Sequence, residues 1–265
     1  MEKMIDIHAH LIPQFDDGPR SFEESLEMLW QAADQGITNV FATSHFNEWI
    51  PEEIEREYFD KLEILRNMAG DQDIPVTIHS GAEIFYHHYV NDTIRKSAVA
   101  TLGNWKQYCL IEFPMFQYPD GAEEILFRLT AENVIPVVAH PERYVAIIGK
   151  IKKINEFIRF GGLLQLNGGS ILGYFGKDIR KTAMQLLERQ LVHFIASDAH
   201  SPQGRTFVLG EVCSFLEDKL PEDYLIDLVY GNQKKILDKV QIEPIKLPEP
   251  EEKKGLFSSL RQKIR

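Results

Sequence analysis

The chain has 265 residues, 44% of them hydrophobic and 26% charged, and a formal net charge of −11. That length permits one large domain or two, with a core that needs no staple, and the acidic balance works against nonspecific binding to nucleic-acid phosphates. Two cysteines, Cys109 and Cys213, make no disulfide framework, and the absence of any long apolar run argues against a signal peptide or a membrane span and for the cytoplasm.

Met4–Ile7 reads as a first strand. Ser21, with Glu24 three positions on, predicts a capped helix through Leu26, Leu29, Trp30 and Ala33 that stops at Gly36. Val40–Ala42 is a second strand, and Pro51 opens a charged amphipathic helix to about Met68. Val76–Ile78 is a third strand leading into Gly81-Ala82-Glu83, and Leu110–Phe113 a fourth, preceded by Cys109 as a small buried hydrophobe. Neither cysteine is followed by an arginine six positions later, which argues against a cysteine-nucleophile phosphatase. Val134–Ala139, Leu163–Leu166 and His193–Ala196 read as strands five to seven. Helical patterns occupy Gly121–Glu132, Ile151–Phe160 and Leu172–Gln190, then Gly210–Leu220 and Pro221–Leu237. No eighth strand is evident. The alternation implies a parallel sheet, and seven units predict an α/β fold of one domain, a distorted TIM-like (β/α)7 barrel. Residues 1–240 are assigned to that barrel. Residues 241–265 are read as a Pro/Glu linker (Glu243-Pro244, Leu247-Pro248, Glu249-Pro250) and a basic tail.

Histidines and acids recur where these strands end. His8 and His10 follow the first strand at i, i+2 and share a side; Asp17 lies in the next loop, Asp16-Asp17-Gly18. His45 follows the second strand, Glu83 the third, Glu112 ends the fourth and His140 the fifth. Asp198 and His200 end the seventh. In such barrels the strand C-termini share one mouth, so imidazole nitrogens and carboxylate oxygens converge there, the donor set of a multinuclear metal site. Taken singly, His140 reads more readily as a packed residue, and Asp17 reads equally well as support for a glycine turn. The joint pattern points to a metallohydrolase. His79, His87, His88 and His193 read as structural or surface residues.

The strings Met4-Ile5-Asp6-Ile7-His8-Ala9-His10, Asp16-Asp17-Gly18 and Gly81-Ala82-Glu83-Ile84 carry a resemblance, together with Leu110-Ile111-Glu112-Phe113, Val138-Ala139-His140-Pro141-Glu142-Arg143, Phe175-Gly176-Lys177 and Ile195-Ala196-Ser197-Asp198-Ala199-His200. Over about residues 4 to 240 the chain resembles the polymerase and histidinol phosphatase (PHP) superfamily. Within it, the chain is similar to the bacterial manganese-dependent protein-tyrosine phosphatases of capsule and exopolysaccharide operons. The resemblance implies three divalent ions, manganese first, with iron or zinc as alternatives. It implies one ion on His8, His10, Glu83 and Asp198, a second on Glu83, Glu112 and His140, and a third on Asp17, His45 and His200. It also implies direct attack of activated water on a phosphomonoester, and a specific substrate: the tyrosine-rich tail of a membrane-associated bacterial tyrosine kinase.

Arg143 and Arg205 are the candidates for gripping phosphate, because a planar guanidinium holds two oxygens at once; the alternative is a surface salt bridge for each. Three other functions stay open. One is a small-molecule phosphatase such as one for histidinol phosphate, and another is a phosphodiesterase, against which the acidic balance counts. The third is a metal-stabilised regulator without turnover. The tail Lys253–Arg265 reads either as a weak membrane-surface contact through Phe257, Leu260 and Ile264 or as a solvated terminus, with slight preference for the latter.

Overall fold

The structure, a computed structural model, describes residues 3–47, 49–118 and 121–247. Seven strands, β1 (Met4–Ala9), β2 (Ile37–Phe46), β3 (Thr77–Phe85), β4 (Tyr108–Glu112), β5 (Ile135–Ala139), β6 (Leu163–Asn167) and β7 (Phe194–Ala196), pair in sequence order. Every pairing is parallel. The sheet curls until its two ends meet. The amide of Asp198, just past β7, donates to the carbonyl of His8 (2.8 Å), and the amide of His10 donates to that of Ala199 (2.7 Å). A parallel bridge joins Ala9 to Ala199. The result is a nearly closed, seven-stranded α/β barrel of the distorted TIM type.

The strands alternate, and the inward positions change character along them. In β4 they are Tyr108 and Leu110, then Glu112; in β6, Leu163, then Gln165 and Asn167; toward and beyond the end of β7, Phe194 and Ala196, then Asp198. Apolar residues thus fill the N-terminal half of the barrel and polar ones its C-terminal mouth. Ile236 and Ile242 join the inner apolar cluster and close its floor. The Tyr108 hydroxyl donates to the Val240 carbonyl (2.8 Å) and accepts from the Ile242 amide (2.9 Å). A separate, larger apolar layer lies between the barrel and its helices.

Helix α1 (Phe22–Asp34) begins where Ser21 accepts from the Glu24 amide (3.3 Å) and ends at Gly36, whose φ of 83° suits a residue without Cβ. The reciprocal half of the capping box is displaced by one: the Glu24 carboxylate accepts from the Arg20 amide (2.7 Å). Helix α2 (Glu52–Asp71) follows Pro51 and continues one turn beyond the predicted end. Next come α3 (Val90–Lys96), which the sequence pattern did not indicate, α4 (Ala122–Ala131) and α5 (Ile151–Arg159).

The helix predicted over Leu172–Gln190 is shorter, α7 (Lys177–Glu188); a separate one, α6 (Gly168–Leu172), ends where the prediction begins. Gly173 (φ 94°) and Gly176 (φ 98°) take left-handed conformations between them, which no helix continues through. Past β7 lie α8 (Leu209–Leu216), α9 (Glu222–Ile226) and α10 (Asn232–Leu237); the last two are joined by a wider turn at Asp227–Gly231. Gln241–Leu247 runs on without helix or strand. The basic segment Lys253–Arg265 lies outside the described residues. Among the described residues, no helix is long and apolar enough to cross a membrane.

Candidate metal centre

Strands β2 and β3 are longer than their apolar runs. Their ladder continues through Thr43–Phe46 and Gly81–Ile84, and His45 sits in register with Glu83. His45 and Glu83 therefore belong to rigid strands rather than to the loops after them. In β1 the i, i+2 reading is incomplete. The strand uses three residues, Asp6 to Ala9, where β2 uses two, Val40 to Ala42. This bulge lets His8 turn inward directly after the inward Ile7, because an extra residue shifts the alternation. The Asp6 carboxylate takes up the displaced donors, the amides of His8 (3.1 Å) and Ser197 (3.0 Å). Burial pushes Asp6 up to about 6, against those hydrogen bonds. At β5 and β7 the inward turn uses strain: His140 (φ 31°) and Asp198 (φ 52°) are left-handed non-glycine residues.

All nine expected acids and imidazoles meet at the mouth. His8 Nε2 lies 3.2 Å from Glu83 Oε2 and 3.3 Å from Asp198 Oδ1, and His10 Nε2 lies 3.5 Å from each of the same oxygens. The two Nε2 atoms are 3.4 Å apart. His45 approaches Glu83 Oε2 through Nδ1 (3.0 Å) and Asp17 through Nε2 (3.6 Å). His140 Nε2 stands 2.9 Å from Glu83 Oε1 and 3.7 Å from Glu112 Oε1, and His200 Nε2 is 3.3 Å from Asp17 Oδ1. Three sets have donor atoms mutually within 4.8 Å: His8, His10, Glu83 and Asp198; His10, Asp17, His45 and His200; and His45, Glu83 and Glu112. The first is the expected quartet. The second adds His10 to the expected trio. The third brings His45 to Glu83 and Glu112, and His140 touches those two carboxylates from the other side.

A divalent cation fits this arrangement. Four donors about 2.1 Å from one ion at tetrahedral angles stand about 3.4 Å apart, the spacing of the first quartet. Glu83 Oε2 and His200 Nε2 are buried and receive no well-directed hydrogen bond, a condition that calls for a partner. Positive charge is demanded at the same point. Burial would lower His8 and His10, yet the surrounding carboxylates raise both, His10 strongly. Burial would raise Glu83 and Asp198, yet the neighbouring imidazoles hold both well below the usual carboxylate range. Burial, then the charge of Glu83, raises Glu112.

Other side chains hold the donors in place. Asp198 Oδ2 accepts from Arg143 (2.9 Å), Arg205 (2.6 Å) and Asn167 (2.6 Å), leaving Oδ1 to face His8 and His10. Arg143 also stacks over Phe175, 4.5 Å from its centroid. The arginines chosen as phosphate contacts are thus anchored on an acid at the centre, and Arg205 Nε is buried without a partner. Asp16, passed over in favour of Asp17, receives His10 Nδ1 (2.8 Å) and the amides of His45 (2.9 Å) and Gly18 (3.0 Å). Burial would raise it; the hydrogen bond and charge of His10 hold it at about 2. Gln165 orients His8 Nδ1 (3.1 Å), and buried Glu142 accepts the Asn167 amide (3.0 Å). Asp16 and Glu142 were signalled by adjacency to the ligand strings; Gln165 and Asn167, in β6, had no such signal.

The family described as "Capsular polysaccharide synthesis, CpsB/CapC" matches residues 4–238. The chain belongs to the CpsB/CapC family. It is 35% identical over 222 residues to a protein of Staphylococcus aureus named a putative tyrosine-protein phosphatase CapC, covering 83% of this chain and 86% of that one. It is likewise 35% identical to the tyrosine-protein phosphatase YwqE of Bacillus subtilis (strain 168), covering 81% of this chain and 84% of that one. A crystal structure from work on YwqE and on CpsB of Streptococcus pneumoniae, described as unique metal-dependent tyrosine phosphatases, superposes with a TM-score of 0.83 at 32% identity. It covers 92% of this chain and all of that one.

Proposed function

We propose that this CpsB/CapC chain is a metal-dependent tyrosine-protein phosphatase. In this reading it acts in the cytoplasm on the phosphotyrosine tail of a membrane-associated bacterial tyrosine kinase that controls capsular or exopolysaccharide production. The observation that carries the proposal is the quartet of His8, His10, Glu83 and Asp198, whose donor spacing suits one divalent ion and which shares Glu83 with one neighbouring set and His10 with the other. The naming of its relatives as tyrosine phosphatases supports the substrate class.

Three ions, manganese first, would be held by His8, His10, Glu83 and Asp198; by Glu83, Glu112 and His140; and by Asp17, His45 and His200. Such ions lower the pKa of water and offset charge on a transferring phosphoryl group. Glu83, with histidines at both oxygens, fixes the spacing between the first two sets. Arg143 and Arg205 keep donors beyond those spent on Asp198, and these would bind and orient phosphate oxygens. A phenol leaves with a pKa of about 10, which lessens the demand for a dedicated acid, and none is assigned. Residues 1–240 would form the catalytic unit, with Ile242, Ile245 and Leu247 packed onto it, and the chain beyond them would be an appendage.

The test is phosphate release by chelator-stripped and manganese-reloaded protein from a phosphotyrosine peptide, histidinol phosphate and a phosphodiester. Chelation should abolish turnover of the peptide, and reloading should restore it. Preference for histidinol phosphate would move the assignment to a small-molecule phosphatase. No turnover of any substrate would leave a regulator.

A further inference from the structure

Past the ends of β2 and β3 that carry His45 and Glu83 lies a cavity of about 480 Å³ lined by Trp49, His87, His88, Tyr89, Asp92 and Thr93. Trp49 is 56% and Tyr89 74% exposed, a placement that costs an aromatic side chain its burial energy. Scattered apolar residues on a surface need no explanation. Here, however, two exposed rings and two imidazoles share one concavity, on the loops that leave β2 and β3. Trp49 is four residues past His45 and Tyr89 six past Glu83, so chain length alone keeps them within about 14 Å and 21 Å of those backbone positions. Exposed Phe116 (84%) follows Glu112 by four residues at the same mouth, while the exposed Ile54, Ile64 and Phe127 sit on outer helices.

Resting on the phosphatase reading above, we infer that this cavity is a substrate subsite that takes an aromatic side chain of the polypeptide carrying the phosphotyrosine. The chemistry of the walls selects that occupant. Rings stack on rings in offset or edge-on geometry. A cationic residue would meet Lys96, whose Nζ already sits 4.8 Å from the Trp49 ring centroid, and would find Asp92 already paired with Arg95. The segments that line it leave the strand ends that form the mouth, where the phosphate must enter. An extended peptide advances about 3.4 Å per residue, so those reaches place the aromatic residue within about five positions of the phosphotyrosine.

The experiment uses metal-loaded full-length protein and phosphotyrosine peptides whose other positions are alanine, except for one tyrosine, phenylalanine or lysine moved stepwise from five residues before to five after. At the matching position, kcat/KM should exceed that of the all-alanine peptide by about three- to tenfold, the strength of an aromatic pair. In the double variant Trp49→Ala, Tyr89→Ala that ratio should fall to about one. Because the ratio compares two peptides on one enzyme preparation, a partly inactive variant does not distort it. A ratio near one for the unsubstituted protein at every position, a preference for lysine in place of the ring, or an undiminished ratio in the double variant overturns the subsite. No phosphate release from any peptide, the alanine one included, overturns the phosphatase reading beneath it.

Discussion

The two ends of one barrel are built from the same strands and answer to opposite demands. At the floor the inward side chains are Tyr108, Leu163 and Phe194, sealed by Ile236 and Ile242. At the mouth the same strands present Glu112, Asn167 and, just beyond β7, Asp198. Floor residues are satisfied by one another. Mouth residues crowd acids and imidazoles at distances that are favourable only with positive charge among them. The floor stabilises; the mouth stores an arrangement that stability alone would not select.

Substitutions at the two ends should therefore separate. Glu83→Gln, at the meeting point of His8, His10, His45 and His140, should lower kcat/KM by at least about 100-fold, since the neutral amide weakens two donor sets worth several kcal/mol. Circular dichroism should show the fold retained. Ile236→Ala should do the reverse, costing about 2–5 kcal/mol of unfolding free energy in urea, with metal content by elemental analysis unchanged. If Ile236→Ala strips the metal, the ends are not independent.

Asp16→Asn tests the mouth's outer support. Competition with a chromophoric chelator should show metal affinity reduced about 10- to 100-fold, a smaller effect than at Glu83. The mildest contrast lies at His193, beside the floor. Burial pushes its imidazole down to about 3, and its Nδ1 accepts the Leu164 amide (3.0 Å). The folded state thus binds fewer protons than the unfolded one between the unfolded pKa, near 6.5, and about 3. The stability contribution is full above about 6.5 and declines as pH falls through that window, by up to about 1.4 kcal/mol per unit. Urea midpoints of the unsubstituted protein and His193→Gln should diverge in pH dependence there and run parallel above pH 7.

Much of this contrast was legible in the chain. Apolar runs marked each strand, and a histidine or acid at or soon after the end of most runs marked the mouth, because strand alternation and burial act locally. His45 and Glu83 read as lying past the ends of their strands because polar residues such as Thr43, Ser44 and Ser80 interrupt the apolar pattern, although pairing carries both strands onward. The bulge in β1 was invisible because it depends on register against β2, and so was the role of Asp6, whose partner Ser197 is 191 residues away. Asp16 and Asp17 are indistinguishable by type; only the fold says which faces His10 and which faces His200. The break at Gly173 and Gly176 could have been read from two glycines within a helical pattern.

The barrel's seam has its own consequence. The strands that close the cylinder are the first and the last, and their contact runs through the backbone of His8, His10, Asp198 and Ala199. An ion seated on the proposed quartet would clasp two ends of the polypeptide about 190 residues apart, at the weakest line of the cylinder. Emptying the centre and loosening the seam then become one event, and amide exchange at Asp198 and His10 would report the loading of the enzyme without any substrate present.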